Sequence, residues 1–194
     1  PIVHDGKLYL LVPFEKKNVV LIQRSDDGGE SWTEPVQLFE GHYWNCPTGM
    51  AVLNGQLYWA MGPNHRSVAA IAAELSMDLM NPKAWRMSPI VTIPPTPDSL
   101  TRRLYPPEDG KWPVQWGDDY LMEGNVVAVN GQLRVIMRAV IDEYATAGMA
   151  AICDLEDDGK TLDLQFSQFH PWPGGQVKFF VVHDQPSRFF WMAS

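Results

Sequence analysis

Val52-Leu53-Asn54-Gly55-Gln56-Leu57-Tyr58-Trp59 is one of several similar segments in the chain. Asn-Gly stands between apolar β-formers, and that dipeptide tolerates the two positive φ angles of a type I′ turn, so the stretch predicts a tight β-hairpin. The same design recurs at Val3-His4-Asp5-Gly6-Lys7-Leu8-Tyr9-Leu10 and at Ala128-Val129-Asn130-Gly131-Gln132-Leu133-Arg134-Val135. A looser copy runs from Val181 to Phe190. The three glycines lie 49 and then 76 residues apart, and the longer gap holds an insert rich in proline and tryptophan at about 94–121.

Each hairpin is followed at similar distance by a β-rich run and an acidic turn. Ser25-Asp26-Asp27-Gly28-Gly29-Glu30-Ser31-Trp32 begins 19 residues after Gly6, Ser76-Met77-Asp78-Leu79 begins 21 after Gly55, and Leu155-Glu156-Asp157-Asp158-Gly159-Lys160-Thr161-Leu162 begins 24 after Gly131. Another candidate strand follows each turn. Hairpin, third strand, turn and fourth strand make a four-stranded sheet of about 50 residues, the period of a propeller blade. The sequence therefore predicts an all-β chain: a β-propeller of four-stranded antiparallel blades. Residues 1–194 form a single partial domain, with blades at about 1–40, 41–93, 120–170 and an incomplete 171–194. An all-β sandwich is the alternative.

Composition narrows function. Lys plus Arg number 15 and Asp plus Glu 23, a net charge of −8 that argues against a nucleic-acid partner. No apolar run approaches the roughly 18 residues of a membrane helix, so no membrane span is expected. Cys46 and Cys153 make no disulfide framework. With the five histidines they show no zinc spacing, and no metal or cofactor is expected. The cluster Asp154, Glu156, Asp157 and Asp158 suits a solvated turn better than calcium. The chain opens at Pro1 without a leader, and about three and a half blades fall short of a closed ring, so the expectation is a fragment of a longer protein.

Ser25-x-Asp27-x-Gly29-x-Ser31-Trp32 resembles the Asp box of the sialidase superfamily of bacterial-neuraminidase-repeat propellers. The resemblance implies a structural role: Asp27 accepts turn amides, Gly29 supplies an unusual φ, and Trp32 covers the blade. The segment from Glu123-Gly124-Asn125 through Gly131 to Arg138 is similar to the sialidase segment in which a glutamate opens one strand and an arginine closes the next. In that family the glutamate pairs with a tyrosine nucleophile, and the arginine is one of three that hold the substrate carboxylate. Pro173-Gly174-Gly175 with Lys178-Phe179 resembles sialidase-like proteins of environmental bacteria. The implied fold is six-bladed and the implied location secreted or periplasmic. The implied function is an exo-glycosidase acting on terminal anionic sugars of the sialic-acid type. This chain has no match to the family's first arginine motif, its acid/base aspartate or its tyrosine, so the isolated chain is expected to be inactive. A non-catalytic propeller binding glycans or proteins, and a polysaccharide lyase on the same architecture, are the alternatives.

Strand length places further candidates. Glu123 precedes Gly131 by eight residues and Arg138 follows it by seven, so at about 3.3 Å per residue both return to one end of adjacent strands. Their catalytic and substrate-binding roles stand against a plain structural ion pair. The same ruler brings Tyr43, Trp44 and Asn64 to that face, with Asn45, His65, Arg66 and Lys178 as substrate-binding candidates. Trp116 of the insert joins them as a platform for a sugar ring.

Overall fold

The computed structural model of the chain describes residues 1–44, 48–97, 120–140, 148–175 and 177–193. Their architecture is all-β, in four-stranded antiparallel blades. The first sheet holds β1 (Ile2–His4), β2 (Lys7–Phe14), β3 (Val19–Ser25) and β4 (Val36–Glu40) in chain order. In the second, β5 (Ala51–Leu53), β6 (Gln56–Asn64) and β7 (Ser67–Glu74) are followed by β8 (Trp85–Met87) and β9 (Val91–Thr92), which share the far edge of β7. The third holds β10 (Tyr120–Val129), β11 (Gln132–Val140), β12 (Met149–Asp157) and β13 (Leu162–Pro171). The hairpin of β14 (Phe180–Asp184) and β15 (Phe189–Ala193) follows. The helical pieces among the described residues are 3-10 turns at Glu15–Lys17 and Pro82–Ala84, and no helix there is long and apolar enough to cross a membrane.

The turns form for the reason their sequences give. Asp5 and Gly6 adopt φ of 48° and 70°, Asn54 and Gly55 of 50° and 75°, Asn130 and Gly131 of 51° and 78°. These are paired left-handed residues of type I′ loops, closed by His4↔Lys7, Leu53↔Gln56 and Val129↔Gln132. The looser fourth copy lacks the Asn-Gly and closes on a four-residue loop between Asp184 and Phe189, with Arg188 at φ 61°.

Burial shows how the sheets stack. Strand β7 is buried from Ser67 to Ala73, on both of its faces. Ala69, Ile71 and Ala73 belong to a core shared with Ile2, Leu11, Val20 and Ile22 of the first sheet. Val68, Ala70 and Ala72 belong to a second core with Val126, Val135, Met137 and Ala151 of the third. Val127 and Ile136 turn the third sheet's other face to Phe179 and Val181. A sandwich buries one face of each sheet; here the middle sheets are covered twice, as consecutive blades are. Each fully buried side chain such as Ile71 or Met61 contributes about 1.5–3 kcal/mol to holding neighbours together.

The acidic turns differ from one another. In the first, the buried Ser25 hydroxyl donates to Asp27 Oδ1 and accepts from the Gly29 amide, while Asp27 accepts from the Ser31 amide at 2.9 Å and from the Ser31 hydroxyl. Those bonds, the Ser31 hydroxyl first, hold the Asp27 carboxyl well below the usual carboxylate range. The turn itself is exposed, and Trp32, expected to cover the blade, remains 37% exposed with its indole N–H on the Gly29 carbonyl. In the third sheet Asp158 holds the turn, accepting from the Lys160 and Thr161 amides. Asp157, which shares Asp27's spacing to the turn glycine, accepts the Gly159 amide and also reaches into the second sheet. It receives Arg86 at 2.6 and 2.9 Å and the Tyr58 hydroxyl at 2.7 Å, with a side chain only 7% exposed. The cluster read as a solvated turn is therefore partly a clasp between blades, with Asp154 beside Arg134 at 3.3 Å on its outer side. Among the described residues no group of His, Cys, Asp and Glu is placed to hold a metal ion.

Candidate functional site

The type I′ hairpins and the acidic turns occupy one end of the sheets. The returns from second to third strand occupy the other, and there the candidate residues gather. Met122 pairs with Arg138, and the register then slips between Met122 and Asn125. The slip is a bulge at Glu123-Gly124. Glu123 takes φ 61°, a left-handed conformation that an L-residue adopts at a cost of about 1–2 kcal/mol. Gly124 makes the bulge possible: a Cβ there would stand 2.7 Å from Val135 Cγ1 and 3.1 Å from Ala60 Cβ. Asn125, fully buried, anchors the strand just past the bulge. Its Oδ1 accepts the Gly49 and Val181 amides at 2.7 and 3.0 Å, and its amide group donates to the Phe179 carbonyl at 3.1 Å.

The bulge aims Glu123 between two cations. Oε2 lies 3.4 Å from Arg138 Nε and Oε1 lies 3.2 Å from Lys178 Nζ. The carboxylate side chain is 6% exposed and Arg138 18%, whereas Lys178, arriving just before β14, is 69% exposed. Strand counting puts Glu123 and Arg138 at the same end of adjacent strands, and they lie there, but in a bulged register rather than the regular ladder expected.

Beside them runs a short wall from the second sheet. Trp44, Thr48, Ala60, Gly62 and Asn64 line a small depression together with Glu123 and Gly124. Trp44 is fixed by its backbone amide on the Gly62 carbonyl and by its indole N–H on His42 Nε2 at 2.7 Å. Its ring meets His65 edge-on at 4.4 Å and remains 41% exposed. Arg66 completes the two-residue return between β6 and β7, its amide held by Asn64 Oδ1. Asn45 and Trp116 lie outside the described residues.

Asn125 is the residue that strand counting passes over. It carries a signal: an amide side chain two places after Glu123 and directly before the apolar run Val126-Val127-Ala128. Tyr9, Tyr43 and Tyr58 are buried in the cores. Burial pushes the Cys153 thiol up to about 12, which leaves it a neutral core side chain at ordinary pH.

No protein-family model matches this chain, and no curated protein does. Among solved structures, it is similar to an ulvan lyase of polysaccharide lyase family 25, solved alone and bound to -[GlcA(1-4)Rha3S]-. In both cases the identity is 14%, the TM-score 0.41, and the match covers 84% of this chain and 42% of the lyase. The chain thus spans less than half the length of those structures.

Proposed function

We propose that the Glu123–Arg138–Lys178 face binds an acidic sugar, as part of a carbohydrate-active propeller whose reaction is sialidase-like hydrolysis of a terminal anionic glycoside. One observation carries the reading: a buried carboxylate held between two cations. Among the described residues, two formal positive charges and one negative leave a single positive charge, which complements one substrate carboxylate. Arg138 offers a planar fork to such a group, and Lys178 a mobile point charge at the rim. Glu123 then orients Arg138 and is the base available to a reacting hydroxyl. Trp44 supplies an exposed ring for the apolar face of the sugar. The blade of the Asp27 turn faces away and holds structure.

A second reading is elimination on a uronate polymer. It is favoured by His65 standing against Trp44 on the same face, because elimination needs a base beside a neutralised carboxylate, and an imidazole suits that task.

Calorimetric titration with sialyllactose and with lactose tests the proposal. The expected result is binding of sialyllactose but not lactose, weakened at least tenfold by Arg138→Ala with the melting temperature retained. Equal affinity for the two sugars, or an Arg138→Ala variant that binds as well as wild type, overturns it. Release of an unsaturated product from a uronate polymer, lost in His65→Ala, selects the second reading.

A further inference from the structure

Arg66 carries a feature that the acidic-sugar site does not use. Its Nε and Nη2 are both withdrawn from solvent, and among the described residues neither has a hydrogen-bond partner. These two nitrogens share one edge of the guanidinium, and their N–H bonds point the same way. That edge matches two oxygens of one carboxylate or sulfate, the side-on bidentate arrangement. A guanidinium stays charged at any ordinary pH, so two desolvated donors without an acceptor are costly. The cost is borne at a rigid position: Asn64 Oδ1 holds the Arg66 amide at 2.9 Å, the Arg66 carbonyl accepts from Ile93, and the neighbouring His65 is braced on Trp44.

The surroundings point the same way. Although the whole chain carries −8, the described part of this end places Lys16, Lys17, Arg66, Arg138 and Lys178 in or beside the strand returns, against the carboxylates of Glu40 and Glu123. Asn64, two residues before Arg66, lines the same depression as Glu123.

We propose that Arg66 binds a second anionic group, a carboxylate or a sulfate, of the glycan held at Glu123, Arg138 and Lys178, so that the ligand is a polyanionic saccharide. This rests on the reading of the face as an acidic-sugar site. The shared chemistry is a planar or tetrahedral oxyanion presenting two oxygens to one guanidinium edge.

The test uses the 194-residue chain with three polymers: polygalacturonate for carboxylate, dextran sulfate for sulfate and dextran for neither. Affinity electrophoresis at fixed salt compares wild type, Arg66→Ala, Arg66→Lys and Arg138→Ala, each checked by its melting temperature. Arg66→Ala should weaken one of the two polyanions at least tenfold and leave dextran unchanged. Arg66→Lys, which keeps the charge but lacks the fork, should not restore it. The polyanion that loses affinity names the group. Arg66→Ala and Arg66→Lys binding both polyanions as tightly as wild type overturns the proposal. If Arg138→Ala alone weakens binding, the acidic-sugar site stands and the Arg66 proposal falls. If wild type binds neither polyanion, the Arg66 proposal falls, and the sialyllactose titration alone decides the acidic-sugar site. Should Arg66→Ala fail to fold, Arg66→Lys decides: wild-type affinity in that variant overturns the fork.

Discussion

Two buried carboxylates in this molecule each face an arginine, and they are built in opposite ways. Asp157 lies in a regular strand and receives both Arg86 nitrogens, the Tyr58 hydroxyl and the Gly159 amide, with Gln56 bonded to the same guanidinium. Glu123 lies in a left-handed bulge, with Arg138 and Lys178 at 3.4 and 3.2 Å. The first is a closed set of short bonds joining two sheets. The second is a charge cluster at ion-pair distance that opens onto a depression. Closing every hydrogen bond makes an ion pair structural; holding cations near a carboxylate on strained backbone leaves their donors available to something else.

The comparison breaks most directly at Asp157. Asp157→Ala leaves Arg86, 18% exposed, with Gln56 in place of its carboxylate partner and the Tyr58 hydroxyl without its acceptor, and should cost about 3–5 kcal/mol in chemical denaturation. Sugar binding at the far face should survive in whatever fraction remains folded. A loss below about 1 kcal/mol would show that the clasp is closed in geometry only.

Acid sharpens the same point. Arg86, with the Tyr58 hydroxyl and Gly159 amide, lowers the Asp157 carboxyl to about 2 from its ordinary 3.8. A depressed carboxylate stabilises the fold fully above its unfolded value and loses that contribution as pH falls through the folded value. Between about pH 4 and pH 2 the wild type should therefore lose about 2 kcal/mol that Asp157→Asn does not lose. Parallel stability curves for the two proteins across that interval would contradict it.

At Glu123 the expected effect is smaller and of backbone origin. Glu123→Ala and Glu123→Gly both remove the carboxylate, so their difference isolates the left-handed conformation. The glycine variant should be the more stable by about 1 kcal/mol. An alanine variant at least as stable would mean that the bulge relaxes once the side chain is gone.

The smallest effect belongs to Asp27→Ala. Its turn is exposed, and water replaces the carboxylate at the Ser31 amide, so the melting temperature should fall only slightly. Binding on the opposite face should not change; a lost affinity at unchanged melting temperature would contradict that placement.

These contrasts show what the sequence could and could not disclose. Asn-Gly pairs announce the hairpins because the turn requires positive φ at two successive positions, a purely local demand. Strand counting brings Glu123 and Arg138 to one end because strands have a fixed rise. The roles of Asp157 and Asp158 were not legible: glycine spacing equates Asp157 with Asp27, but its partner Arg86 lies 71 residues away. Local sequence does not say which of two adjacent aspartates serves the turn alone and which also reaches the next sheet. Nor does it show the bulge, where Val135 and Ala60 leave no room for a side chain at Gly124.

Asn125 gives the molecule a kinetic property. Its side chain joins the Gly49 amide, 76 residues earlier, to the Val181 amide, 56 residues later. Contacts spanning such separations close long loops and form slowly, after the local hairpins. One side chain satisfies both amides, so withdrawing Asn125 from the core releases both junctions together. Gly49 permits this closeness, since a Cβ there would run into the Val181 carbonyl. The amides of Gly49 and Val181 should thus exchange their hydrogens at a common free energy, as members of one cooperative opening unit, while the exposed tips at Gly6 and Gly131 exchange far earlier.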